Sequence, residues 1–239
     1  MAELLAERHD RVTVLTLNRP THGNRLTTAL ATQIAASLEA ARDDDSIGGC
    51  VLTGAGETFC LGGDYQGAGP TAAGRTAYAQ ALLRMDRAMA HLGKPLVAAV
   101  NGAAHAGGFS VVVGCDLAIA ATDATFGLPE AAHGLFPFIA LAIVKDSLPK
   151  KVLFDLIYSA RLMGAAEAKE LHVVNEVTER GNVLDRAVER ARQAAAHRTA
   201  VVTLGRDLYY ATRGKRADES LDDAERALLA ALNVTDARE

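Results

Sequence analysis

Residues 11–17 alternate Val12, Val14 and Thr16 against Thr13, Leu15 and Leu17, then stop at Asn18-Arg19-Pro20, which predicts a strand closed by a turn. The period then changes. Leu30, Ile34, Leu38 and Ala41 recur at helical spacing up to Asp43-Asp44-Asp45, with Thr27 or Thr28 standing where an N-cap belongs. A short apolar run over 49–53 predicts another strand. Residues 72–92 then place Leu82, Met85, Met89 and Leu92 on one helical face and end at Gly93-Lys94-Pro95. The order repeats with a strand over 95–100, a short buried helix over 108–114 and a strand over 116–121. Units of similar length predict an α/β fold built as a coiled stack of ββα turns rather than a doubly wound sheet. Beyond residue 139 helices are predicted over 139–148, 151–159, 165–171, 183–197, 199–211 and 221–232, with one strand over 173–177. No glycine- or serine-rich linker separates the halves, so one folding unit is expected.

Two glycine-rich turns follow predicted strands: Phe59-Cys60-Leu61-Gly62-Gly63-Asp64 and Asn101-Gly102-Ala103-Ala104-His105-Ala106-Gly107-Gly108. Residues without Cβ allow close backbone approach, so two such turns can each aim an N–H at one oxygen. A carboxylate follows in Phe126-Gly127-Leu128-Pro129-Glu130 and can move protons beside them. Each residue also has a plainer reading. Glu130 suits the first turn of a helix, where it complements the dipole, and Gly63 and Gly107 suit ordinary turns. His105 and His133 read first as packed polar side chains and second as extra acid–base groups. Asp64 reads as a cap, and Arg25 as a solvated arginine or a phosphate contact.

Composition narrows the classes. The chain has 239 residues, 49% hydrophobic and 23% charged, enough for a full core. A net charge of −4 leaves no broad basic surface, so neither nucleic acid nor an anionic membrane is expected as a partner. Neither a signal peptide nor a spanning helix is expected, which predicts a cytoplasmic protein. Cys50, Cys60 and Cys115 are scattered among apolar residues and read as buried small hydrophobes, with no metal site and no disulfide framework. Cys60 lies in a glycine turn but has no charged neighbour to activate it.

Six motifs in register resemble the crotonase superfamily, the enoyl-CoA hydratase and isomerase family. They are Leu17-Asn18-Arg19-Pro20 with Asn24, the first glycine turn, Lys94-Pro95 through Asn101-Gly102, Ala106-Gly107-Gly108, Cys115-Asp116-Leu117-Ala118, and Phe126 to Glu130. Ala165-Ala166-Glu167-Ala168 through Val173-Val174 also matches, so the resemblance covers residues 12–177. It implies a crotonase-like ββα core over 1–180 and a helical C-terminal trimerisation region over 181–239, assembled as a homotrimer or hexamer. It also implies an acyl-CoA or acyl-carrier-protein thioester as substrate. The thioester oxygen would lie between the N–H groups of Gly63 and Gly107, an oxyanion hole for an enolate, with Glu130 as the acid–base. Arg25, Leu61, Asp64, Ser110 and Phe136 are the expected substrate-binding residues. No separate cofactor is implied, because CoA or phosphopantetheine arrives with the substrate.

Departures from the family pattern shape the functional expectation. Hydratases of this kind usually carry a second glutamate three residues after the second oxyanion glycine, where this chain has Ser110. Hydration or dehydration of an enoyl thioester remains the leading expectation, with double-bond isomerisation by one glutamate as the alternative. Acyl-CoA decarboxylation, non-catalytic acyl-CoA binding and a structural place in a multienzyme complex are further alternatives. Gly134-Leu135-Phe136-Pro137-Phe138 resembles branches that take branched or glutaconyl-type acyl groups or carrier-protein thioesters. Leu82, Met85, Phe136, Phe138 and Leu141 are expected to line an alkyl pocket, and Arg84 and Arg87 to meet any carboxylate on the acyl group. Many relatives continue past Asn233-Val234-Thr235-Asp236-Ala237-Arg238-Glu239 into a helix that covers CoA, so either the chain is shortened there or the cover comes from elsewhere.

Overall fold

Residues 2–236 are described by a computed structural model, in which the apolar runs become central strands. A six-stranded sheet contains β1 (Leu4–His9), β2 (Val12–Leu17), β3 (Gly49–Gly54), β5 (Leu96–Val100), β7 (Leu117–Ala121) and β10 (Glu176–Thr178), in that order. Only the β1–β2 pair is antiparallel. β3 and β5 are buried at every position, as continuous apolar runs require when both faces of a sheet are covered. β3, β5 and β7 are each followed by a short strand that leaves the large sheet. β4 (Thr58–Cys60), β6 (Ala103–His105) and β8 (Thr125–Gly127) run parallel in a second sheet, closed by antiparallel β9 (Met163–Gly164). This alternation makes the ββα coil, and it sets the glycine turns side by side where the short strands end.

Helices α1 (Thr28–Asp43) and α2 (Ala72–Ala90) pack against each other, and α3 (Gly107–Gly114) follows β6. Thr27 is the residue that caps α1, accepting the Leu30 N–H at 2.9 Å. Leu30, Ile34 and Leu38 are fully buried on its inner face, each worth about 1.5–3 kcal/mol relative to exposure. The later elements are α4 (Phe138–Val144), α5 (Lys150–Ser159), α6 (Ala165–Glu170), α7 (Val183–Ala195), α8 (Thr199–Thr212) and α9 (Ala217–Asp236). α7 crosses β2, β3, β5 and β7. Residues 237–239 of the expected stopping point lie outside the described residues.

The differences from the predicted elements have local causes. β1 was not predicted because its side chains are mostly exposed and show no apolar alternation. β4, β6 and β8 are three residues each, too short to display a period. The strand predicted over 173–177 starts three residues later, because the chain first turns through His172 at φ 58. α4 stops at Val144, short of the predicted residue 148.

Several motif residues act as structural ties. Asn24 is fully buried and left-handed, with φ 50; its Oδ1 accepts the Arg19 N–H, and its Nδ2 donates to the carbonyls of Ala55 and Thr58. Asn101 Nδ2 donates to the carbonyls of Gly54 and Gly56, joining the ends of β5 and β3. Lys94 donates its ammonium to the carbonyls of Ala41 and Asp44 at the end of α1. Arg206 of α8 pairs with Asp116 at 2.9 Å and donates to the carbonyls of Met89 and Ala90. Asn24→Ala leaves buried backbone groups unpartnered and is expected to cost about 1–3 kcal/mol, read as a lower denaturation midpoint at unchanged slope. A midpoint equal to wild type would sink that account.

The three cysteines are free, and burial pushes the thiols of Cys50 and Cys60 up to about 12, so neither is a thiolate near neutral pH. Among the described residues no helix is long and apolar enough to cross a membrane.

Candidate functional site

The two glycine turns touch. Leu26 N–H donates to Gly62 O at 2.8 Å and Asp64 N–H to Leu26 O at 2.9 Å, which pairs the backbone on either side of Gly63. Strand geometry then points the Gly63 N–H away from Leu26. Gly107 is the first residue of α3, so its N–H has no acceptor within the helix. A Cβ built on Gly107 would lie 3.7 Å from Gly63 N and 3.6 Å from Gly62 Cα, ordinary contact distances. The close approach that demands glycine falls next door: a Cβ on Gly62 would lie 2.6 Å from Ala106 Cβ, and one on Gly108 only 2.0 Å from Cys60 O. Ala106 itself takes φ 54 and is held by its N–H to Gly127 O at 2.8 Å.

Glu130 sits in a 3-10 turn, Pro129–His133, that follows β8. It is 5% exposed, and its Oε2 has no hydrogen-bond partner among the described residues. Burial pushes its pKa above the usual glutamate value, with a backbone N–H pulling the other way. Glu130 and Gly63 line two cavities at once. One, of about 300 Å³, is mainly apolar and includes Gly107, Ser110, Tyr78, Leu82, Met85 and Phe136. The other, of about 500 Å³, is more polar and includes Arg25, Leu61, Asp64, His105 and His133. A carboxylate and two backbone turns therefore meet at the junction of an apolar and a polar space.

The structure gives the remaining predicted residues specific partners. Arg25 donates to Leu61 O at 2.8 Å, bracing the first glycine turn from the polar side. Asp64 pairs with Arg19 at 3.1 Å and accepts the Gly67 N–H, which makes it an anchor of that turn. Ser110 Oγ donates to Gly107 O at 2.9 Å. His105 Nε2 lies 2.9 Å from Thr125 Oγ1, and burial lowers its pKa, with Arg25 adding to the effect. His133 is exposed at the rim.

Of the expected pocket residues, Leu82, Met85, Phe136 and Phe138 line the apolar cavity, while Leu141 packs against the core beside it. Arg84 and Arg87 do not reach it. Arg84 faces α1 and pairs with Glu39, and Arg87 stands on the same outer side. Sequence reasoning missed several lining residues, among them the polar Tyr65, Tyr78 and Asp86. Tyr78 precedes Leu82 and Met85 on their helical face, a signal that was available. Its buried hydroxyl has no partner among the described residues and stands where a Cβ on Gly63 would come within 2.2 Å. Tyr65 packs edge-on against Tyr78 at 5.7 Å. No periodicity singled out Asp86. Among the described residues no group of three or more His, Cys, Asp or Glu is placed to hold a metal ion.

Residues 7–239 match the profile of a family described as enoyl-CoA hydratase/isomerase. Enoyl-CoA hydratase EchA19 of Mycobacterium tuberculosis is 33% identical over 82% of this chain and 75% of its own length. 2,3-Dehydroadipyl-CoA hydratase of Escherichia coli is 34% identical over 82% of this chain and 77% of its own. The solved enoyl-CoA hydratase of Mycobacterium smegmatis superposes with a TM-score of 0.91 at 27% identity, covering 96% of this chain and 91% of that one. The ββα coil, the paired glycine turns and these matches lead to one conclusion: this chain belongs to the enoyl-CoA hydratase/isomerase family of the crotonase superfamily.

Proposed function

We propose that the protein hydrates an enoyl thioester, or dehydrates the corresponding 3-hydroxyacyl thioester, through an enolate held by the N–H groups of Gly63 and Gly107. The observation that carries this reading is the buried Glu130 carboxylate with an unpartnered oxygen at the junction of the two cavities. The apolar cavity takes the acyl group and the polar one the carrier arm. CoA or phosphopantetheine belongs to the substrate, and no separate cofactor is required by this chemistry.

In the hydration direction Glu130 takes a proton from water as the water oxygen bonds C3. The electron pair of the double bond moves toward the thioester oxygen, where two fixed donors stabilise the charge. The carboxyl group then gives its proton to C2, so one molecule of water has been added. A pKa raised by burial suits a group that must accept and return a proton in one cycle. The start of α3 adds its dipole to the second donor.

Ser110 favours isomerisation as the second reading. Its hydroxyl is engaged by Gly107 O, and no second carboxylate stands at that position to share a water. Glu130 would then remove a proton from C2 of a 3-enoyl thioester and return it at C4. Proton NMR with crotonyl-CoA, a 3-enoyl-CoA and methylglutaconyl-CoA in D₂O separates the two. A 3-hydroxyacyl product is expected. A 2-enoyl product from the 3-enoyl substrate without water addition would replace hydration by isomerisation, and no turnover or C2 exchange despite binding would reject both.

A further inference from the structure

α2 forms one wall of the apolar cavity, with Tyr78, Leu82, Met85 and Asp86 lining it in turn. Tyr78 marks the thioester end, because its hydroxyl stands against Gly63. Asp86 is eight residues further on, about two helical turns and about 12 Å of rise. It also lines a third cavity of about 510 Å³ bounded by α3, α4 and α8, so it stands where the acyl space meets that one.

Among the described residues the Asp86 carboxylate makes no hydrogen bond and no ion pair. The cations nearby are engaged elsewhere or face away: Arg206 pairs with Asp116, Arg213 with Asp146 and Arg84 with Glu39, and Arg87 stands with Arg84 on the outer side of the helix. Arg75, at the other end of the α2 wall, donates to Pro70 O. Burial alone raises the Asp86 pKa to about 7, with no neighbouring charge contributing. The arginines expected to receive an acyl carboxylate thus lie outside the cavity, and an acid lines it instead.

Resting on the acyl-thioester reading above, we propose that Asp86 is a specificity residue that selects acyl groups whose distal end carries a hydroxyl and rejects those ending in a carboxylate. A plain alkyl end that reached Asp86 would displace water and leave a desolvated polar group unpaired, which is costly. A hydroxyl supplies the missing partner. A terminal carboxylate meets a second acid with no free cation beside it.

Calorimetric titration with saturated ligands tests this without turnover: decanoyl-CoA, 10-hydroxydecanoyl-CoA and the CoA monoester of decanedioic acid. Wild type is expected to bind the hydroxyl-ended ligand about tenfold tighter than the other two, the size of one hydrogen bond. Asp86→Leu is expected to turn the preference toward decanoyl-CoA. Asp86→Asn, nearly the same shape, is expected to keep the hydroxyl preference and to lose the exclusion of the carboxylate. If all three proteins show the same affinity ratios, the role of Asp86 is overturned while the acyl-thioester reading stands. If no acyl-CoA binds to folded wild type, both fall together.

Discussion

Replacing Glu130 by Gln is expected to lower kcat by about 10²–10⁴-fold, the contribution of a positioned general acid–base. Gln keeps the size of the side chain and its hydrogen-bonding capacity but cannot carry a proton between water and C2. KM should change little, because the proposed binding of the thioester oxygen belongs to Gly63 and Gly107. The pH dependence carries a sign. Burial raises the Glu130 pKa, so wild-type kcat/KM should climb with pH as the carboxylate forms, and level off at a value above that of an ordinary glutamate. The variant should lack that limb.

Stability should move the other way. A raised folded pKa means that the ionised form costs stability, which is fully present below the unfolded pKa and lost as pH rises through the folded one. Glu130→Gln should therefore melt no lower than wild type at neutral pH. A folded variant with near wild-type kcat and an unchanged pH profile would remove Glu130 from the mechanism.

Gly108→Ala is expected to lower kcat by about 10²–10³-fold without abolishing the fold. Its Cβ would meet Cys60 O at 2.0 Å and Cys60 C at 2.8 Å. Those atoms are backbone, so no flexible side chain can yield. The start of α3 must move away from the first glycine turn, and the Gly107 N–H moves with it relative to that of Gly63. A displacement of about 1 Å is enough to cost about 10²-fold in rate when two donors must meet one developing charge. Gly181→Ala serves as the control, because nothing lies within 4 Å of its Cβ. Circular dichroism should report both variants as folded, with a lower melting temperature for Gly108→Ala alone. Wild-type turnover in Gly108→Ala would mean that the contact between the turns does not set the geometry of the reaction.

The two variants probe features that differ in how far they can be read from sequence. Glu130 and the glycine turns were visible because each motif is contiguous and keeps its order along the chain. The tight contacts at Gly62 and Gly108 were not, since they join residues of different turns. The same division holds for α2. Its apolar spacing announced a buried face with Leu82 and Met85, yet spacing alone does not say whether the flanking polar residues look toward a cavity or toward another helix.

Sequence by itself determined the buried long strands β2, β3, β5 and β7, the amphipathic helices and family membership, because burial of whole faces imposes a pattern and the motifs recur in register. Packing alone decided the rest. Three-residue strands hold no period, and they exist because β4, β6 and β8 find partners in a second sheet. Arg25 and Asp64 became braces of the first turn because carbonyls and Arg19 lie within reach. Arg84 turned outward to Glu39 on α1, and Asp86 came to line the cavity without a partner. The physical reason is common to all of these: a polar side chain takes its role from the groups that desolvate it and from the partners it finds, and both are supplied by segments distant in sequence.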